Sequence, residues 1–191
     1  MDEAEIVETE TGKRPQGEGW FVLNVGEASW SRNVHAGVWS ELEAEDARFD
    51  GFGAGVHVIE PGQANGRYHA ESVQEGFLVL SGECIAIVEG EERRMRQWDY
   101  LHCPPGTSHI LVGAGNEPCA IFMIGVRSPD ATIQYSVNEL ASKYDASPPH
   151  DTDKPSEAYA DQERAYSPVR APWPPRGCGY PYRQPSRRPS Q

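Results

Sequence analysis

Residues 61–82 read PGQANGRYHAESVQEGFLVLSG, and this stretch decides the fold. It holds three potential metal ligands, His69, Glu71 and Glu75, within seven residues. His69 and Glu71 are two residues apart, so on a β-strand they point to the same face. The apolar run Phe77–Leu80 predicts a second strand, which returns from a turn near Glu75. A hairpin of this kind directs all three side chains into one cavity.

Residues 98–109, WDYLHCPPGTSH, form the partner stretch. A short strand runs into a Pro-Pro-Gly turn, because proline presets φ and glycine tolerates positive φ. His109 follows just after this turn. A single histidine such as His69 or His109 is more often structural than functional, so the joint spacing of the two stretches carries the interpretation.

Together the two stretches resemble the two sequence motifs of the cupin family. The residues that match the motifs are His69, Glu75, Gly82, Pro104, Gly106 and His109. The chain departs from the motifs at Glu71, Trp98 and Gly113, where the family has histidine, glycine and asparagine. The resemblance implies one barrel with a metal site formed by His69, Glu71, Glu75 and His109. It also implies a homodimer.

Short apolar segments separated by glycine and aspartate turns predict an all-β sandwich or barrel. The resemblance narrows this class to a double-stranded β-helix, the jelly-roll cupin barrel. We expect one short C-terminal helix, from about Val137 to Tyr144, because Ser136 and Glu139 have the spacing of a capping box. The predicted strands are residues 20–25, 34–42, 52–60, 77–80, 84–89, 100–103, 109–112 and 119–126.

The composition divides the chain into four parts. We expect a flexible acidic arm at 1–17, the barrel at 18–128, a linker with the short helix at 129–146, and an extended proline-rich tail at 147–191. The tail holds ten of the sixteen prolines, which favours polyproline II or disorder. Its aromatic residues leave a second interpretation open, a strap that lies across the barrel or across a symmetry mate. They are Tyr159, Tyr166, Trp173, Tyr180 and Tyr182.

The balance of acidic and basic residues limits the kinds of partner that this protein can bind. With 29 acidic and 17 basic residues the formal net charge is −12, so nucleic acid is not expected, because phosphate binding needs a cationic face. No apolar run approaches the roughly 18 residues of a membrane helix. The N-terminus lacks the apolar region of a secretory signal, and we expect a cytoplasmic protein. The cysteines contain no C-x-x-C pair and are expected to be reduced; they are Cys84, Cys103, Cys119 and Cys178.

The proposed ligands suit a divalent ion such as Mn, Fe, Ni or Zn. Glu71 has three interpretations: it binds the metal, it serves as a base beside a metal-bound water, or it marks a barrel without metal. Tyr68 is a second candidate for proton transfer. We expect a metal-dependent enzyme, an oxygenase or an isomerase, acting on a small polar metabolite. The alternative is a non-catalytic module that binds or senses a small ligand, since this fold does not fix function.

Overall fold

The computed structural model describes residues 1–163 and 165–172. Along these residues no helix combines the length and the apolar character that a membrane span requires. The strands and helices are β1 (Glu5–Thr9), β2 (Gly12–Gln16), a 3-10 turn (Val25–Glu27), β3 (Ser29–Asn33), β4 (Gly37–Glu41), β5 (Phe52–Ile59), β6 (His69–Glu71), β7 (Glu75–Ser81), β8 (Glu83–Val88), β9 (Glu91–Arg96), β10 (Tyr100–Cys103), β11 (His109–Ala114), β12 (Cys119–Val126), β13 (Ile133–Tyr135), α1 (Glu139–Ser142), α2 (Pro155–Ala158) and β14 (Ser167–Arg170).

Two antiparallel sheets form the barrel. The larger has the strand order β10-β7-β12-β5-β4-β3-β14, and the smaller has the order β13-β6-β11-β8-β9. Neighbours in each sheet are often distant in sequence, as with β12, which lies between β5 and β7. The predicted all-β fold, a double-stranded β-helix, is confirmed.

The core lies between the two sheets at one end of the barrel. Apolar residues from both inner faces pack there, among them Ile59, Phe77 and Val79 of the larger sheet and Cys84 and Leu111 of the smaller one. Side chains alternate across a strand, so inward positions recur every second residue. On each strand the inward-facing residues therefore continue beyond the core toward the other end of the barrel. That end holds the site described below.

A second layer covers the outer faces of the sheets. Trp30, which is fully buried, packs against the outer face of the larger sheet together with Val56 and Val58. On the smaller sheet, Ala141 of α1 packs against Ile87 and Ile110. Both faces of each sheet are therefore partly enclosed, which fixes the strands that carry the site.

Several predicted boundaries were wrong, for local reasons. Residues 20–25 form no strand; the chain turns at Val25–Glu27, where the Asn24 side chain accepts a hydrogen bond from the amide of Gly26 at 2.9 Å. The residues predicted as a flexible arm form the β1–β2 hairpin, bridged to the chain at Trp20 and Ala28. Strand β9 was not predicted because it is charged, as is common for the edge strand it forms.

The predicted helix is shorter than expected. It spans Glu139–Ser142, and Asn138 caps it by accepting hydrogen bonds from the amides of Leu140 and Ala141. The predicted capping box, with Ser136 as the N-cap, was therefore wrong. Asparagine is as good an N-cap as serine, and the two competed within two residues of sequence.

The C-terminal segment lies against the barrel as far as it is described. Thr152 pairs with Tyr135 through two backbone hydrogen bonds of 2.8 and 3.0 Å. Farther along, β14 pairs with β3 at the edge of the larger sheet. This part of the chain has the form of the strap that the aromatic residues suggested. Trp173, Cys178, Tyr180 and Tyr182 lie outside the described residues.

Candidate metal centre

Strand pairing brings the two predicted histidine ligands together. His69 begins β6, His109 begins β11, and the two are direct partners in the register of the smaller sheet. Their ring centroids lie 4.9 Å apart. Glu75 begins β7 of the facing sheet, so the three side chains meet between the two sheets.

The three side chains form a compact group of ligand atoms. One atom each from His69, Glu75 and His109 lies within 4.8 Å of the other two. The closest recorded approach is 3.3 Å, between Nε2 of His109 and Oε2 of Glu75. The His109 side chain is 2% exposed and that of Glu75 is 15% exposed. A divalent ion held by all three would therefore be largely shielded from bulk water.

Backbone carbonyls orient both imidazole rings. Nδ1 of His69 lies 2.7 Å from the carbonyl oxygen of Arg67, and Nδ1 of His109 lies 3.0 Å from that of Thr107. Because a carbonyl oxygen only accepts hydrogen bonds, each Nδ1 carries the proton and each Nε2 keeps its lone pair. This is the usual support for a histidine that binds metal through its other nitrogen.

Burial shifts the protonation of the group toward its neutral form. Burial, reinforced by His69, lowers the pKa of His109 to about 4. Burial, reinforced by the Glu71 carboxylate, raises the pKa of Glu75 to about 8. Both shifts favour a neutral carboxyl on Glu75 beside a neutral imidazole on His109 when no cation is present. A divalent ion fits this donor set, because its positive charge would favour the ionised carboxylate and both Nε2 atoms offer it a lone pair.

Glu71 lies beside this group without joining it. Its Oε1 is 3.9 Å from Nε2 of His69, and its side chain is 30% exposed. Burial raises its pKa, and the nearby His109 opposes that rise. The structure therefore brings three of the four predicted ligands together and leaves the fourth carboxylate at the edge of the group.

Tyr68 and Cys103 are close in sequence to the ligand stretches, but neither belongs to the ligand group. Tyr68 packs with Ile87 and Ile110 on the outer face of the smaller sheet, and its hydroxyl accepts a hydrogen bond from the amide of Gly90 at 3.1 Å. Cys103 is the register partner of Glu75, and burial raises the pKa of its thiol to about 12. Cys103 therefore remains a thiol at neutral pH.

A cavity of about 430 Å³ adjoins the group at Glu75. Its size falls within the usual range of small-molecule pockets. Several positions of the lining that lead away from the core are small or polar, namely His57 and Gly55 on β5 and Gly125 on β12. A Cβ at Gly125 would lie 3.6 Å from Cγ of Glu75, so glycine leaves room beside the ligand. The C-terminal segment also lines this cavity, and its aromatic residues are the one signal that could have predicted this.

Residues 55–125 match the family described as the cupin domain. This match begins within β5 and ends within β12. No curated protein matches the chain. The matched span contains all three residues of the compact ligand group.

Solved cupin structures are similar to part of this chain. A sugar phosphate isomerase of the cupin superfamily from Silicibacter pomeroyi is 26% identical over 45% of this chain and 57% of that one, with a TM-score of 0.43. A proposed sugar phosphate isomerase from Acidithiobacillus ferrooxidans is 25% identical over 44% of this chain and 55% of that one, with a TM-score of 0.42. A cupin protein from Bacteroides fragilis is 20% identical over 52% of this chain and 84% of that one, with a TM-score of 0.43. The match thus spans little more than half the length of the two isomerases.

Proposed function

We propose that this cupin is a metal-dependent enzyme, of the oxygenase or isomerase type, that acts on a small metabolite. His69, Glu75 and His109 would hold the ion, and the supporting observation is their group of ligand atoms within 4.8 Å, of which Glu75 also lines the cavity. Two imidazoles and one carboxylate leave coordination positions open for substrate. A divalent ion bound there would act as a Lewis acid on a substrate oxygen.

The surrounding residues support this role. The carbonyls of Arg67 and Thr107 hold the rings with Nε2 toward the site. The Phe77 ring lies 5.1 Å from that of His109 and excludes water from its inner side. Glu71 is the group that we assign to proton transfer, because burial raises its pKa and its Oε1 lies 3.9 Å from Nε2 of His69.

Metal analysis of the purified chain tests the ligand set. After loading with Mn²⁺, Fe²⁺ or Zn²⁺ and desalting, we expect about one ion per chain, because the described residues hold this one group of three ligand atoms. His69→Ala, Glu75→Gln and His109→Ala should each lose stoichiometric metal, whereas Glu71→Gln should keep it. His102→Ala is the matched control, since His102 is exposed on β10 away from the group. Retention of metal by a His69→Ala/His109→Ala double variant would contradict the site.

The reaction type needs a second assay on the metal-loaded chain. Oxygen uptake over a panel of phenols, thiols and keto acids would assign an oxygenase. Uptake of solvent deuterium at carbon beside a carbonyl, followed by NMR, would assign an isomerase. In either case Glu71→Gln should lower turnover and flatten its pH profile while the metal content stays unchanged. If the metal-loaded chain shows neither oxygen uptake nor deuterium uptake, the proposal that it is an enzyme is contradicted.

A small-ligand binding module is the second candidate. It is favoured by the glutamate at position 71, where the cupin family has histidine, and by the C-terminal segment that forms one wall of the cavity. Tight binding of a ligand without turnover, unchanged by metal removal, would support this candidate over the enzyme.

A further inference from the structure

The outer wall of the cavity comes from the C-terminal segment, beyond the cupin match. Tyr159, Gln162, Glu163 and Tyr166 line it, opposite residues of β4, β5 and β12. Residues outside the family domain therefore help to determine which ligand this cavity accepts.

Anchors at both ends hold this wall against the barrel. Near its start the buried Arg67 pairs with Asp161, and the backbone amide of Arg67 donates to the hydroxyl of Tyr159 at 3.1 Å. Near its end the Asn33 amide donates to the carbonyls of Glu163 and Ala165 at 3.1 and 3.3 Å. The wall is therefore part of the folded cavity.

Aromatic rings form one side of the cavity. The Trp39 ring lies 5.7 Å from that of His57 and 5.6 Å from that of Tyr166, with the Tyr166 ring nearly perpendicular to it. Met123 and the Tyr159 ring also line the space. Aromatic and thioether groups favour a flat apolar body over a fully hydrated sugar.

His57 offers one hydrogen-bond acceptor to the cavity. It is 8% exposed, and its Nε2 lies 2.5 Å from the carbonyl oxygen of Ala36, so Nε2 carries the proton and Nδ1 keeps its lone pair. Among the described residues Nδ1 has no hydrogen-bond partner. It is not fully buried either, because the fully buried side-chain atom without a partner in the described residues is Nε of Arg67. Since His57 lines the cavity, Nδ1 opens into it. Burial also lowers the pKa of His57 to about 4, which keeps the ring neutral.

The charges of the lining disfavour an anion. The lining residue Arg127 donates two hydrogen bonds to the Glu43 carboxylate and one to the carbonyl of Phe49 at 2.9 Å. The other ionisable residues of the described lining that could carry charge are acidic, namely Glu41, Glu75 and Glu163, and none of them offers a positive charge. No cation of the described lining is thus left to pair with a phosphate or carboxylate, and burying an unpaired anion is costly.

We propose that this cavity binds an uncharged or cationic ring compound carrying a hydroxyl or amine group. The ring packs against Trp39 and Tyr166, the hydroxyl or amine donates to Nδ1 of His57, and phosphate esters are excluded. This substrate class rests on the proposed function in that the same cavity serves both.

Binding of four simple ring compounds tests the class. Benzyl alcohol, benzylamine, benzoate and phenyl phosphate are titrated into the full chain by saturation-transfer NMR, both metal-free and Zn²⁺-loaded. In the metal-free chain we expect benzyl alcohol and benzylamine to bind at least about tenfold more tightly than benzoate and phenyl phosphate, a difference of about 1.4 kcal/mol in binding free energy. Equal or tighter binding of phenyl phosphate or benzoate to the metal-free chain would overturn the proposal.

Variants locate the binding. Tyr166→Ala should weaken benzyl alcohol about fivefold, as expected for one lost aromatic contact; Tyr166 is 62% exposed, so its removal spares the core. Trp98→Ala is the matched control, because Trp98 is 70% exposed and does not line the cavity. His57→Phe should weaken benzyl alcohol but not toluene, which has no hydroxyl. Unchanged binding of benzyl alcohol to Tyr166→Ala would overturn the proposal.

The metal content of each variant separates the two proposals. Tyr166→Ala and His57→Phe should keep the metal of the parent chain, since neither residue belongs to the ligand group. A chain that binds no metal but prefers benzyl alcohol would contradict the enzyme and support the ligand class. A chain that binds metal but prefers benzoate or phenyl phosphate would support the enzyme and contradict the ligand class.

Discussion

Gly113 shows how one residue can depart from the cupin motif for a reason of packing. The family has asparagine here, but a Cβ at Gly113 would lie 2.2 Å from the carbonyl oxygen of Glu60. The amide of Gly113 donates to the carbonyl of Gln63, and its own carbonyl accepts from the amide of Gly62, both at 2.8 Å. The loop at 60–63 therefore occupies the place of a side chain, and this departure says nothing against the metal site.

Restoring the family residue should destabilise the protein. We expect Gly113→Asn to lower the free energy of unfolding by about 3 kcal/mol, because the backbone must shift to admit the side chain. Urea unfolding measures this change. Gly17→Asn is the control, since Gly17 has φ +76° with no atom within 4 Å of an added Cβ, and asparagine tolerates such φ. A Gly113→Asn chain as stable as the control would show that the loop does not approach this closely.

At the scale of elements, Arg67 joins the barrel to the C-terminal segment. Its guanidinium is 1% exposed, donates to the carbonyls of Asp145 and Ser147 at 2.7 and 2.8 Å, and pairs with Asp161. Its Nε has no hydrogen-bond partner among the described residues. One buried side chain thus ties together the end of α1 and the segment that walls the cavity.

Removing this side chain should loosen the segment more than the sheets. Arg67→Ala removes a buried side chain and leaves the carbonyls of Asp145 and Ser147 without their donor, so it should lower the free energy of unfolding by about 3 kcal/mol. Hydrogen exchange should accelerate at amides 145–163 before it does in β7 or β12. Arg94→Ala is the matched control, because its pair with Glu83 is exposed and should contribute less than about 1 kcal/mol. Equal exchange in the segment of both variants would contradict the role of Arg67.

At the scale of the whole molecule, the metal group links stability to pH. The pKa of Glu75 is about 8 in the folded metal-free chain against an ordinary value of 4.5, so its stabilising contribution is full below pH 4.5 and is lost as the pH rises toward 8. The pKa of His109 is about 4 against 6.5, so its contribution is present above pH 6.5 and is lost as the pH falls toward 4. A bound divalent ion replaces the proton of Glu75 and removes its penalty at high pH.

Thermal unfolding at several pH values tests this link. Between pH 6 and 8.5 the Tm of the metal-free chain should fall, and the rise in Tm on adding Zn²⁺ or Mn²⁺ should grow, because the ion no longer competes with a proton. At a hundred times the Kd the ion should add about 2.7 kcal/mol. Glu75→Gln, which should not hold stoichiometric metal, corrects for the other titrating groups of this acidic chain; its Tm should fall less between pH 6 and 8.5 and should not rise when the ion is added. A metal effect that is equal at pH 6 and pH 8.5 would contradict the protonation of Glu75.

Much of this protein was predictable because the determining signals are local. Strands such as β5, β10 and β12 follow from apolar runs bounded by turn residues, and the ligands His69, Glu75 and His109 follow from the motif spacing on two strands and a turn. Residues two apart on a strand share a face, whatever the strand pairs with. Local sequence signals therefore determined the all-β class, and the resemblance to the cupin motifs narrowed it to the jelly roll and supplied the metal-ligand candidates.

Only the tertiary structure decided which distant segments meet. The pairing of β14 with β3, the side-chain hydrogen bonds of the buried Arg67 and the contact of Tyr166 with Trp39 at the cavity join residues that are 78 or more positions apart. Such contacts depend on the summed packing of both partners and leave no local periodicity in either one. The placement of Glu71 at the edge of the ligand group has the same origin, because it depends on how closely the two sheets approach.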